Sequence, residues 1–159
     1  MNSATLKTIR ESLGLSVGWL AAQAQVQERT VRYWESGRND VPDDVAEMIL
    51  KLEAMLADAV LRATNQIDKI IKKNGKPAEP IILVRYSTDG DLWKYRPDLE
   101  GLPTTYHGAI LARIRAIYKE DNVDVEMRWL NVSAYEDWLK ATKQKDSESL
   151  RARFTMEAI

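Results

Sequence analysis

Residues 6–42 read LKTIRESLGLSVGWLAAQAQVQERTVRYWESGRNDVP, and the spacing of apolar positions in this stretch decides the amino-terminal fold. Leu6, Ile9 and Leu13 recur at helical spacing, and Gly14 predicts the end of that first helix. Ser16 is placed to cap a second helix whose Leu20, Ala21 and Ala24 face inward. A tight turn is expected at Gln25–Val26, followed by a third helix over Glu28–Ser36 that buries Val31 and Trp34 and stops at Gly37. Two short helices joined by a turn of three or four residues, with small Ala21 where they cross, predict a helix-turn-helix.

If Val31 and Trp34 are anchored, Gln27, Glu28, Arg29, Arg32 and Tyr33 project from the other side of the third helix and from its start. These side-chain types read base edges, and a helix fits the ~12 Å major groove of DNA. The same charges also suit an ordinary solvated face, because Arg29 and Arg32 stand at ion-pair spacing from Glu28 and Glu35. Gly18 inside the second helix costs about 1 kcal/mol against alanine and requires close packing or a close backbone approach.

On Leu15-Ser16, Leu20-Ala21, Val26, Thr30-Val31, Trp34-Glu35-Ser36-Gly37 and Pro42, the chain resembles the XRE (Cro/cI-type) helix-turn-helix family over about residues 3–53. A closer likeness is to YdiL-like regulators, which include autorepressors associated with anti-CRISPR operons. It rests on the run YWESGRNDVPDDV, Tyr33 to Val45. The resemblance implies a lambda-repressor-like helical bundle and a sequence-specific regulator, an autorepressor by the closer likeness. It places Gln27, Glu28, Arg29 and Arg32 against base edges, Tyr33 against base or phosphate, and Arg38 and Asn39 in a loop that meets the phosphate backbone. Trp34 is expected in the core, and Glu35 is expected to hold the following loop. Two departures stand out: Val17-Gly18 follow Ser16 where relatives carry Gln, and Gln27 replaces the usual Ser or Thr cap.

Beyond this stretch, Pro42 with Asp43 and Asp44 makes a helix start, with fixed φ and then acids at the positive end of the dipole. Val45, Met48/Ile49, Leu52, Leu56, Ala59/Val60, Ala63, Ile67 and Ile70/Ile71 continue a helical stripe to Asn74, about 45 Å if unbroken. Its later part needs a cover, either the carboxy-terminal domain or a second subunit. A homodimer would place two modules ~34 Å apart, on successive major grooves of an inverted repeat. The run NGKPAEP, Asn74 to Pro80, divides the chain into residues 1–74 and 75–159.

The second part predicts a buried strand at Ile81–Tyr86, a punctuated loop from Ser87 to Thr105, a helix over Tyr106–Lys119, and a half-buried strand at Val123–Leu130. A last helix opens at Ser133, with Lys143–Ser149 as its frayed, charged end. In that second strand Val123, Val125, Met127 and Trp129 are expected on the inner face. The fold class is therefore mainly α with a small α+β part: helical bundle, long linking helix and a two-stranded α/β domain that serves dimerisation, an effector or a partner. Asp89–Asp91 read as a turn, His107 as a surface or satisfied residue, and Lys72, Lys73 and Lys76 as a solvated helix end.

Composition narrows the chemistry. The 159 residues hold 23 Lys plus Arg against 24 Asp plus Glu, one His and no Cys. Thiolate zinc sites, thiol nucleophiles and His clusters are excluded, and no Ser–His–Asp set, GxGxxG or Walker loop is present. No catalysis, metal or cofactor is expected. No apolar run approaches ~18 residues, so a cytoplasmic protein without a membrane partner is expected. The rival reading is an antitoxin-like interaction module, or an RNA binder, whose carboxy-terminal aromatic residues engage a partner.

Overall fold

A computed structural model describes residues 1–157. They form two compact units, one of residues 1–63 and one from residue 64 onward, and each is described by itself. The chain is mainly helical with one small two-stranded sheet.

In the first unit α1 (Ser3–Ser12), α2 (Val17–Gln23) and α3 (Glu28–Glu35) precede the first two thirds of α4 (Asp43–Asn74). Each boundary has a local cause. Asn2 accepts the Thr5 N–H at 2.8 Å and opens α1, and Ser16 accepts the Trp19 N–H at 2.9 Å and opens α2. Gly14 (φ 69°) and Gly37 (φ 73°) take the left-handed conformation that lets the chain leave α1 and α3. Gln25 adopts φ 55° in the turn between α2 and α3. Leu6, Leu13, Leu20 and Val31 are completely buried, Trp34 is 5% exposed, and Val45, Ile49, Leu52 and Leu56 supply the inward stripe of α4.

The second unit starts with the end of α4 and continues through β1 (Ile81–Arg85), α5 (Asp89–Tyr95), a 3-10 turn (Pro97–Leu99), α6 (Thr104–Glu120), β2 (Val125–Trp129), α7 (Val132–Thr142) and α8 (Glu148–Glu157). The strands pair in parallel, Ile81 against Val125 and Arg85 against Trp129. Parallel pairing requires a crossover, and α5 and α6 supply it. Tyr118 of α6 donates to the Thr64 carbonyl (2.9 Å) and to Asp68 Oδ1 (2.6 Å), so this unit takes hold of the end of α4.

Several expectations need correction. The stretch from Ser87 to Thr105 is not a plain loop: α5 forms there because Thr88 caps it and Leu92 is fully buried. The acidic turn is part of that arrangement, for Asp89 accepts the Thr104 N–H at 2.8 Å and holds the start of α6. The helix expected to be last is α7, capped by Asn131, and α8 follows it. The strand at 81–85 is half-buried rather than buried throughout. In β2, Val125 is covered, whereas Met127 is 39% and Trp129 61% exposed. His107 is 3% exposed, and its Nδ1 has no hydrogen-bond partner.

Candidate nucleic-acid interface

The surface singled out in the sequence is built on α3. With eight residues, α3 is too short to be stable alone. Its position comes from Val31 and Trp34, and from an ion pair that the sequence did not announce. Arg10 of α1 donates through Nε to Glu35 Oε1 at 2.5 Å and through a second nitrogen to Oε2 at 3.1 Å, with both side chains only 8% exposed. A further Arg10 nitrogen donates to the Leu15 carbonyl at 2.7 Å. The bidentate geometry clamps α1, the segment after it and α3 together. Glu35 therefore holds α1 rather than the loop that follows it. The sequence offered little signal, since a lone Arg beside Leu13 and Ile9 in a helix reads as a solvated edge.

With α3 clamped in this way, Gln27, Glu28, Arg29 and Arg32 are exposed on its outer side, and Tyr33 is half-exposed beside them. Arg38 and Asn39 are exposed in the loop after Gly37, and their N–H groups both donate to the Tyr33 carbonyl, at 3.0 and 3.2 Å. The Arg38 guanidinium lies 4.4 Å from the Tyr33 ring centre and that of Arg29 lies 6.0 Å away. Tyr33 thus gathers two cations into one patch. Of the three guanidiniums, Arg32 is engaged by Glu28 at 2.9 Å, an exposed i,i+4 pair that contributes little to stability. The solvated-face reading of this pair is accordingly present in the structure alongside the outward projection.

Gly18 has a visible cause. A Cβ on Gly18 would lie 3.0 Å from Glu28 Oε1, so the missing side chain leaves room for the Glu28 carboxylate where α2 passes α3. Gln27 stands at the cap of α3 in extended conformation and makes no side-chain capping bond. The amide at this position is left free to reach outward.

Among the described residues no group of three or more His, Cys, Asp and Glu side chains is placed to hold a metal ion. No helix of the described residues is long and apolar enough to cross a membrane. His107 lies 5.5 Å from the Tyr86 ring and is held neutral: burial first, then Arg96 and Arg85, push its pKa down to about 3.

The whole chain, residues 1–159, matches the family described as Domain of unknown function (DUF4447), and it belongs to that family. It is also similar to the Aca2 repressor of Pectobacterium phage ZF40, at 36% identity over 78 residues. That match covers 48% of this chain and 64% of the repressor, just short of two thirds of the repressor's own length.

Proposed function

We propose that this protein is a sequence-specific, dimeric DNA-binding regulator of the XRE helix-turn-helix kind, a repressor that binds an inverted-repeat operator with α3 in the major groove. The single observation that carries the proposal is the geometry of α3. Its apolar side is anchored by Val31 and Trp34, and its outward side presents Gln27, Arg29, Arg32 and Tyr33 together. Such a helix offers planar donors to base edges, with Arg matched to guanine and Gln to adenine. Arg38 and Asn39, held beside Tyr33, lie where a phosphate contact would fix register without reading sequence. Glu28 releases Arg32 when the guanidinium finds a base, or remains paired and accepts from cytosine. The likeness to a phage repressor supports a regulatory role.

Selection of bound duplexes from a random library tests the whole reading. The expected product is a spaced inverted repeat with half-sites about one helical turn apart, or a multiple of it. Recovery of unrelated sequences would overturn it. Single substitutions then separate the roles. Arg29→Ala or Arg32→Ala should weaken operator binding by about tenfold to a hundredfold and random-duplex binding far less. Arg38→Ala should weaken both and lower the slope of log affinity against log salt by about one. Equal losses on both duplexes for the Arg29 variant would remove it from base readout.

A further inference from the structure

The sheet of the second unit ends on a free edge. Among the described residues, β2 pairs only with β1. Leu130 N–H donates to the Arg85 carbonyl, and the Asp124 carbonyl accepts from Ile81 N–H. By the alternation of a parallel ladder, Glu126 and Arg128 then also turn their main-chain groups toward β1. Val125, Met127 and Trp129 turn theirs to the open side. Beside that edge lies a groove of about 530 Å³ whose lining includes Met127, Trp129, Asn131, Ala134 and Phe154. An exposed edge bearing exposed apolar side chains is a surface that a protein normally guards or pairs.

We propose that this edge pairs with β2 of a second copy in antiparallel fashion about a two-fold axis through Met127, making a four-stranded sheet across the dimer. The charge order of the strand, VEMRW at residues 125–129, suits a second copy. Antiparallel neighbours must match in the direction of their main-chain groups, so the axis falls on a residue. With the axis on Met127, Glu126 of each copy faces Arg128 of the other. Met127 faces Met127, and Val125 faces Trp129. An axis on Glu126 sets carboxylate against carboxylate at the centre of the seam, and one on Arg128 sets guanidinium against guanidinium. Of the three, the Met127 register alone joins opposite charges without setting like charges face to face. It does so in the closer, non-hydrogen-bonded pairs, where side-chain charge matters most.

That register also sets the exposed Met127 and Trp129 beside apolar side chains of the other copy and gives about six main-chain hydrogen bonds from the three outward-turned residues of each copy. Within one chain, Arg128 donates to Glu126 through two bonds of 3.0 and 3.1 Å and to the Thr155 carbonyl of α8 at 3.1 Å, which fixes the two charges on the same face of the strand. Across the axis these pairs become a cluster of four charges. The inference deepens the dimer of the proposed function and rests on that reading, while its test needs no DNA.

The experiment is sedimentation of the full chain without DNA. Wild type should be a dimer at micromolar concentration. Glu126→Arg should weaken the dimer by about tenfold or more, because the two-fold axis makes each substitution act twice. Arg128→Glu should do the same. An equimolar mixture of these two variants should recover the dimer, since one chain then brings a pair of arginines to the seam and the other a pair of glutamates. A monomeric wild type, a dimer indifferent to both substitutions, or folded variants that fail to recover on mixing would each overturn the seam. Cross-linking provides a second measure in the otherwise thiol-free chain: Met127→Cys should join to its twin through a short bismaleimide, and Asp137→Cys on exposed α7 should not. Failure of the Met127 variant to cross-link would overturn the register. Loss of operator binding by a protein that still passes these tests would instead count against the DNA reading alone.

Discussion

Three buried ionisable groups show what single residues contribute. Arg10 and Glu35 are both nearly inaccessible, so removing one partner strands the other charge away from water. Glu35→Ala should cost about 3–5 kcal/mol in urea unfolding, far more than an exposed pair would. Arg10→Met combined with Glu35→Leu should cost less than either single change, because no charge is then left unpaired. Equal losses for single and double variants would show that packing, not the ion pair, carries the effect. His107 works through pH instead. Unfolded, it binds a proton near pH 6.5, and folded it does so only near pH 3, because burial and two guanidiniums oppose the charge. Its contribution is therefore complete above about pH 6.5 and is lost as pH falls toward 3. Between pH 6.5 and 5 stability should fall by up to about 1.4 kcal/mol per pH unit from this residue. His107→Leu should flatten the profile there; an unchanged profile would place the acid sensitivity elsewhere. The histidine reads from sequence as surface or satisfied because a single polar residue at a helix start carries no sign of what the rest of the fold will lay over it.

At the scale of elements, the helices differ in how openly the sequence declares them. α1 to α3 are announced by caps, glycines and inward apolar positions that agree with one another, and their ends fall within a residue or two of expectation. α5 and α8 are not. α5 has seven residues and one fully buried anchor, Leu92, so no period can be seen in it. α8 places Arg151 and Thr155 on its buried side, where Arg151 bonds to Asp146 at 2.7 Å and lies 5.1 Å from the Tyr95 ring centre. A helix whose most buried positions are polar has the wrong signature for an apolar-period search. The uncapped start of α3 provides a test at this scale. Gln27→Ser should restore a capping bond and stabilise the protein by about 1 kcal/mol. If Gln27 reads a base as proposed, the same change should weaken operator binding. A variant that is more stable and binds as well as wild type would leave Gln27 out of the interface.

For the whole molecule, charge offers little long-range help toward nucleic acid. The net charge is −1, and residues 1–76 carry 11 basic against 10 acidic groups. On the proposed reading, affinity comes from the α3 patch used twice, the first module raising the effective concentration of the second at its half-site. Glu126→Arg, a change made in the second unit and not in the α3 patch, should therefore raise the concentration for half-maximal operator binding by about a hundredfold. Unchanged operator binding by a chain shown to be monomeric would mean that one module suffices.

The amino-terminal helices, their inward residues and the side of α3 that faces out could all be read from residues 6–42, because short-range spacing, capping and glycine conformation are local physics. The same reading extended to the class of the second unit. It did not extend to the parallel pairing of β1 with β2, the Arg10–Glu35 clamp, the burial of His107 or the exposure of Met127 and Trp129. Each of these depends on which distant segments arrive at the same place. An alternating strand states that two faces differ, and only the packing of α6 against part of it decides how far along its length the apolar face is covered.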